Sequence, residues 1–223
     1  MLRVLDLDAV DAVLLDVDGT LVDTSYLHAC LWSDAFAEHQ HAVPTADLHA
    51  LIGMDGERLV HAALEGMSPA DQLVDDLVRR HSELYEPHWP HLRALPGAQL
   101  LVRGLHDAGR RVVLASSAKG PELEALRAVL DVDDALDGTT SSDDADDGKP
   151  APDIVVEALQ VAQADPERAL FVGDAVWDAE AASRAGVRFV GLTCGGISAA
   201  DLRDAGAIEV YSTPGELHAH LQL

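Results

Sequence analysis

Cysteine, lysine and aromatic side chains are all scarce in this chain of 223 residues. The two cysteines, Cys30 and Cys194, stand far apart without C-x-x-C spacing or a matching histidine cluster. That excludes a disulfide scaffold and a cysteine-based metal site, and predicts free, buried thiols in a reducing compartment. Aromatic residues make up 4%, so the core must be built mostly from Ala, Val and Leu. Basic charge is short as well: 15 Lys and Arg face 39 Asp and Glu, a formal net charge of −24. Such a field repels phosphate backbones and anionic lipid heads, so nucleic acid and membrane surfaces are poor partners. A small anionic substrate is admissible only where a cation or local basic group offsets the field. Only two of the basic residues are lysines, Lys119 and Lys149, which singles both out.

No apolar run approaches membrane-spanning length, and residues 1–11 carry three aspartates rather than the apolar stretch of a signal peptide. The expectation is a cytoplasmic protein. At 48% hydrophobic and 24% charged, the composition is that of a globular chain. The length admits one α/β core with a small second unit.

Short apolar runs bounded by turn residues recur at Ala12–Leu15, Arg111–Ala115, Leu170–Val172, Val187–Leu192 and Ala207–Tyr211, with a weaker one at Leu136–Thr140. The five clear runs are apolar on both alternating faces, the pattern of strands buried on both sides in a parallel sheet. Helical stretches separate them: Gly97–Ala108 closed by Gly109, Pro121–Leu130, Pro152–Ala164, and Ala175–Ala185 closed by Gly186. Thr213, Pro214 and Glu216 form a capping box with proline at the first helical position. This alternation predicts a doubly wound α/β fold.

The interval from Thr24 to about Trp89 breaks the pattern. It reads as helices only, over Ser25–Glu38, Ala46–Ile52, Glu57–Glu65 and Pro69–Tyr85, the last behind Ser68 as N-cap. Roughly 65 residues exceed what a crossover needs. The chain is therefore expected to divide into an α/β core (1–23 and 90–223) and a helical cap (24–89).

Polar residues gather at the ends of the expected strands. The first runs into Asp16-Val17-Asp18-Gly19-Thr20, the second into Ser116-Ser117, and the fourth into Gly173-Asp174 with Asp178 beyond. Gly148-Lys149-Pro150 follows the weak third strand. Asp-Gly pairs are common in surface turns, but two carboxylates two residues apart past a buried strand repel unless a cation lies between them. In an open parallel sheet, ligands bind beyond the carboxyl ends of the strands, so these segments converge on one site.

The ordered set, Asp16-Val17-Asp18-Gly19-Thr20, then Ser116, then Lys149, then Gly173-Asp174 with Asp178, resembles the signatures of the haloacid dehalogenase superfamily of phosphohydrolases. The likeness covers roughly residues 9–23 and 95–223, and the helical insert looks like the small cap of its phosphoglycolate phosphatase and β-phosphoglucomutase branch. It implies a magnesium-dependent phosphatase acting on a small phosphorylated metabolite. Asp16 would be the nucleophile, forming an aspartyl-phosphate, and Asp18 the general acid and base. Ser116, Ser117 and Lys149 would hold phosphate, and Lys149 suits that task as a compact, strongly hydrated charge. Asp16, Asp174 and the Asp18 carbonyl would ligate magnesium, with Asp178 ordering its water shell.

Charge explains the need for the ion. Four carboxylates and a phosphate dianion outweigh one lysine, and two like charges about 4 Å apart repel by roughly 4 kcal/mol at an effective dielectric near 20. A hard divalent cation with oxygen ligands offsets this. In the insert, Asp23, Thr24, His28 and Trp32 resemble the cap entrance of β-phosphoglucomutase-type members, though they read equally as hinge and packing residues. Arg58 is a candidate substrate contact or an ordinary solvated helix residue. Lys119 is expected in solvent, and Asp143, Asp144, Asp146 and Asp147 in a solvated loop. The remaining histidines lack zinc-ligand spacing.

Asp18 argues against dehalogenase chemistry, and a cap without lysine against Schiff-base cleavage of carbon–phosphorus bonds. Phosphomonoester hydrolysis, phosphomutase chemistry and, from another class, non-catalytic binding of a phosphometabolite stay open. Hydrolysis is favoured because a cap poor in basic residues is ill-equipped to hold a second phosphate.

Overall fold

The computed structural model describes residues 5–141 and 147–223. Asp143, Asp144 and Asp146 lie outside them. Six strands, β1 (Ala12–Leu15), β2 (Arg111–Ala115), β3 (Gly138–Thr140), β4 (Ala169–Gly173), β5 (Arg188–Leu192) and β6 (Glu209–Tyr211), form one sheet in the order β3-β2-β1-β4-β5-β6. Every pairing is parallel. The double-sided apolar pattern has its cause here. Val13 and Leu15 of β1 join one hydrophobic cluster, and Ala12 and Leu14 join the other. Strands β2 and β4 divide in the same way, as the alternation of successive side chains requires.

Between β1 and β2 run α1 (Ser25–Glu38), α2 (Thr45–Leu51), α3 (Gly56–Ala63) and α4 (Asp71–Tyr85). They share an apolar cluster of their own around Trp32, Phe36, Leu48, Leu59, Val60 and Leu77. The chain leaves and re-enters the sheet region through two adjacent segments, tied by Asp23 N–H donating to the Arg93 carbonyl at 3.0 Å and Leu95 N–H to that of Leu21 at 2.8 Å.

Beyond the insert, α5 (Ala98–Asp107), α6 (Gly120–Leu130) and α10 (Pro214–Leu221) cover one face of the sheet. Helices α7 (Asp153–Ala162), α8 (Val176–Arg184) and α9 (Ala199–Asp204) cover the other. Shaving a fully buried leucine such as Leu14 to alanine in such a core costs about 2–5 kcal/mol.

Local expectations differ in three places. Helix α4 starts at Asp71, and its cap position is Ala70, in extended conformation with no side-chain cap; Ser68 lies outside the helix because Pro69 disfavours helical backbone before it. At α10, Thr213 Oγ1 accepts from Glu216 N–H as the capping pattern requires. The Glu216 carboxylate, however, reaches back to Ser212 N–H rather than to the cap residue itself. Both thiols are free, but Cys30 is exposed and Cys194 only half-buried, packed against the edge of one core cluster. No helix among the described residues is long and apolar enough to cross a membrane.

Candidate active site

The strand order reverses direction at the centre of the sheet, where β1 is flanked by β2 and β4. A crevice forms there because the crossovers on either side lead to opposite faces. Asp16 continues β1 by one residue, its N–H donating to the Val172 carbonyl at 2.9 Å. The chain then turns through Gly19, at φ +74°, where a Cβ would fall on Ser25 Oγ and the Asp174 carboxylate. Only glycine allows the turn to close this tightly. Strand β4 delivers Asp174, and the start of α8 delivers Asp178.

Lys149 is buried among these groups. Its Nζ donates to Asp16 Oδ1 at 2.5 Å and lies 2.8 Å from Asp178 Oδ1. Asp178 Oδ2 accepts from Ala175 N–H at 3.0 Å. Asp174 accepts from Thr20 Oγ1 at 2.9 Å and from Ser25 Oγ at 3.2 Å. Asp18 accepts from Thr24 Oγ1 at 2.8 Å, with His28 Nε2 3.4 Å from the same oxygen. The other His28 nitrogen faces His81 Nε2 at 3.1 Å, and His81 stacks on Trp32 with ring centres 4.2 Å apart.

One ammonium serves a crowded set of carboxylates, and their protonation reflects it. Burial raises Asp16 to about 7; Lys149 opposes this, while Asp178 and Asp18 add to it. Asp174 is pushed well above the usual carboxylate range, by burial first and then by Asp16 and Asp178. Burial would lower Lys149, but the charges of Asp16 and Asp178 outweigh it and hold the ammonium above its ordinary value. Asp16, Asp174 and Asp178 each bring a carboxylate oxygen within 4.8 Å of the other two, and all three are buried. A compact, oxygen-only donor set short of positive charge fits a hard divalent cation. Soft or imidazole-preferring metals would find neither thiolate nor histidine in it.

A cavity of about 190 Å³ opens over this edge, between the sheet ends and the helical insert. Asp16, Asp18, Lys149 and Ser117 line its floor, and Trp32, Met54 and Val78 its opposite wall. Around the turn between α2 and α3, further polar contacts draw the insert onto the sheet domain. Asp55 N–H donates to the Lys149 carbonyl at 3.2 Å, Trp177 Nε1 donates to that of Ala50 at 3.1 Å, and His49 Nε2 meets that of Gly195 at 2.8 Å.

Asp16, Asp18, Ser117, Lys149 and His28 thus gather around one space, with Asp174 and Asp178 packed beneath it. Ser116 is fully buried, its Oγ accepting from Ala118 N–H at 3.0 Å. Asp178 lies within 4.8 Å of the other two carboxylates, its own oxygens engaged by Lys149 Nζ and Ala175 N–H. Arg58 does not line the cavity, although Gly56, Glu57 and Leu59 around it do: its guanidinium pairs with Asp147 at 3.1 Å on the surface. Lys119 is exposed but stands at the cavity mouth.

Two residues were not singled out in the sequence. Glu122, in the first turn of α6, places a carboxylate oxygen within 4.8 Å of Asp18 and His28. Burial raises it to about 7, and Asp18 adds to the shift. His81 arrives from α4, and burial followed by the charge of His28 pushes it well below its ordinary value. An acid in a first helical turn reads as a cap, and a histidine on a distant helix carries no local signal.

A family model described as haloacid dehalogenase-like hydrolase matches residues 10–186. A phosphoglycolate phosphatase of Nitrosospira multiformis is 32% identical over 184 residues, covering 79% of this chain and 80% of that protein. A phosphorylated carbohydrates phosphatase of Thermotoga maritima is 28% identical over 202 residues, covering 89% and 92%. The crystal structure of a hydrolase from Pseudomonas syringae superimposes with a TM-score of 0.87 at 31% identity, covering 95% and 97% of the two chains.

Proposed function

Because the chain belongs to the haloacid dehalogenase-like hydrolases, we propose that it hydrolyses the phosphate monoester of a small metabolite through an aspartyl-phosphate on Asp16. One observation carries the reading. Asp16 and Asp18, two residues apart, line the same cavity while a buried lysine stands 2.5 Å from Asp16. A nucleophile, a proton carrier and a fixed positive charge are what phosphoryl transfer needs within one space.

In this reading an Asp16 carboxylate oxygen bonds to phosphorus as the ester oxygen departs on the opposite side. Asp18 gives that oxygen a proton, then takes one from the water that cleaves the acyl-phosphate. His28, on Asp18, and Thr24, donating to the same carboxylate, hold it toward the cavity. Lys149 keeps Asp16 oriented and meets the charge of the phosphoryl group. Ser117 offers a hydroxyl to a phosphoryl oxygen, and Ser116 supports the loop from beneath. Asp16, Asp174 and the Asp18 carbonyl would hold Mg²⁺, with Asp178 fixing its surroundings. The ion supplies neutralisation of the phosphate and carboxylate charges.

Residues 24–89 act as a cap that closes over residues 1–23 and 90–223 and excludes water. Hydrolysis is favoured over mutase chemistry because the insert is poor in basic residues, and Arg58, beside the cavity-lining Glu57, is engaged with Asp147. The free thiols suit a cytoplasmic setting. Release of phosphate from p-nitrophenyl phosphate, measured with Mg²⁺ and with EDTA, tests the proposal. Turnover should require the metal and return when Mg²⁺ is restored. Equal rates with and without chelator would refute the role of the ion, and no turnover on a broad panel of phosphorylated metabolites would favour a binding protein.

A further inference from the structure

The reaction centre accounts for the floor of the cavity but not for its remaining walls. Leaving aside Asp16 and its partner Lys149, the charged side chains lining it among the described residues are Asp18, Asp55, Glu57 and Glu122 against Lys119 and His28, whose imidazole, against its burial, Asp18 holds above its ordinary value. Lys119 is exposed at the mouth, and its charge falls on Glu122. Asp55 is occupied as the cap of α3, accepting from Glu57 N–H and Arg58 N–H. Asp18 is held by Thr24 and His28. Glu122 is half-buried beside Asp18 and His28, takes the charges of His28 and Lys119 and a hydrogen bond from the Lys119 backbone, and shares the cavity with Trp32, Met54 and Val78. A second anion on the substrate would sit among carboxylates, inside a protein of net charge −24. A hydroxyl or ammonium would instead find Glu122 as its acceptor, with its carbon skeleton against Trp32.

We propose that Glu122 selects the alcohol part of the substrate, so that the enzyme takes monophosphates whose leaving group is uncharged or cationic with a hydrogen-bond donor, and rejects those bearing a carboxylate or second phosphate. This rests on the phosphatase reading above and deepens it. Discrimination of this kind works by leaving the wrong partner unpaired and repelled in a site of low dielectric.

A matched series separates the two ideas. Ethylene glycol monophosphate, O-phosphoethanolamine and 2-phosphoglycolate differ chiefly in whether the group beyond the ester carbon is a hydroxymethyl, an aminomethyl or a carboxylate. With the Mg²⁺-loaded full-length enzyme, kcat/KM for either of the first two should exceed that for 2-phosphoglycolate by on the order of tenfold or more. In Glu122→Gln that ratio should fall toward one, the carboxylate ester gaining relative to the others. Equal or reversed preference in the parent enzyme overturns the proposal, and so does a ratio unchanged in a folded Glu122→Gln. Cleavage of p-nitrophenyl phosphate without measurable turnover of the hydroxyl and ammonium esters overturns it too. Absence of turnover on p-nitrophenyl phosphate as well as on the series would instead sink the phosphatase reading beneath it. The ranking in the parent enzyme needs no variant, so a misfolded substitution leaves the test intact.

Discussion

Replacing Asp16 with asparagine removes one negative charge from a place where burial has already raised the carboxyl to about 7. The amide keeps the size of the side chain, and Lys149 retains Asp178 as a partner. Turnover should therefore fall by on the order of 10⁴-fold or more while the thermal midpoint stays level or rises, because a buried like-charge repulsion is relieved. Retained activity in Asp16→Asn would remove Asp16 from the nucleophile's role. Asp18→Asn tests the second carboxylate separately. It should slow hydrolysis and leave a phosphoryl adduct visible by intact-mass spectrometry, whereas unchanged kinetics without adduct would free Asp18 of the proton-transfer role.

At the scale of elements, the turn between α2 and α3 is the point at which the helical insert meets the sheet's carboxyl edge. Gly53 sits there at φ +97°, and a Cβ on it would come within 2.7 Å of the Ala175 side chain, next to the aspartates of β4 and α8. His49, Ala50 and Asp55 make their polar contacts with the sheet domain from the same stretch. Gly53→Val should therefore prop the turn away from Ala175. The backbone strain costs about 1–2 kcal/mol of stability. On the proposed role of the insert as a closing cap, the larger effect should be kinetic, a fall in kcat/KM of about tenfold or more. A melting shift of the expected size with unchanged kcat/KM would mean that this contact plays no part in closure.

For the whole molecule, the net charge of −24 bears on encounter rather than on chemistry. A phosphate ester approaches against the protein's field until it reaches Lys149 and the cation the carboxylates would hold. The Debye length shrinks from about 30 Å at 10 mM to about 8 Å at 150 mM ionic strength. At fixed Mg²⁺, kcat/KM should thus rise by roughly two- to fivefold over that range, with kcat little changed. A fall with salt would mean that attraction near the site outweighs the global repulsion.

The doubly wound sheet was legible in the sequence because buried parallel strands must be apolar on both faces, as Val13 and Leu14 illustrate by joining opposite cores. Asp16, Asp18, Ser117, Lys149, Asp174 and Asp178 were legible because they follow strand ends, and chain connectivity carries every such segment to one edge. Tertiary structure alone decided which side chains face the cavity. Arg58 turned out to Asp147, while Glu122 and His81 turned in, each from a helix whose sequence is equally compatible with solvent. Strand order follows from local patterns repeated along the chain. The direction of a single helical side chain depends on packing between segments far apart in sequence, and no local spacing encodes that.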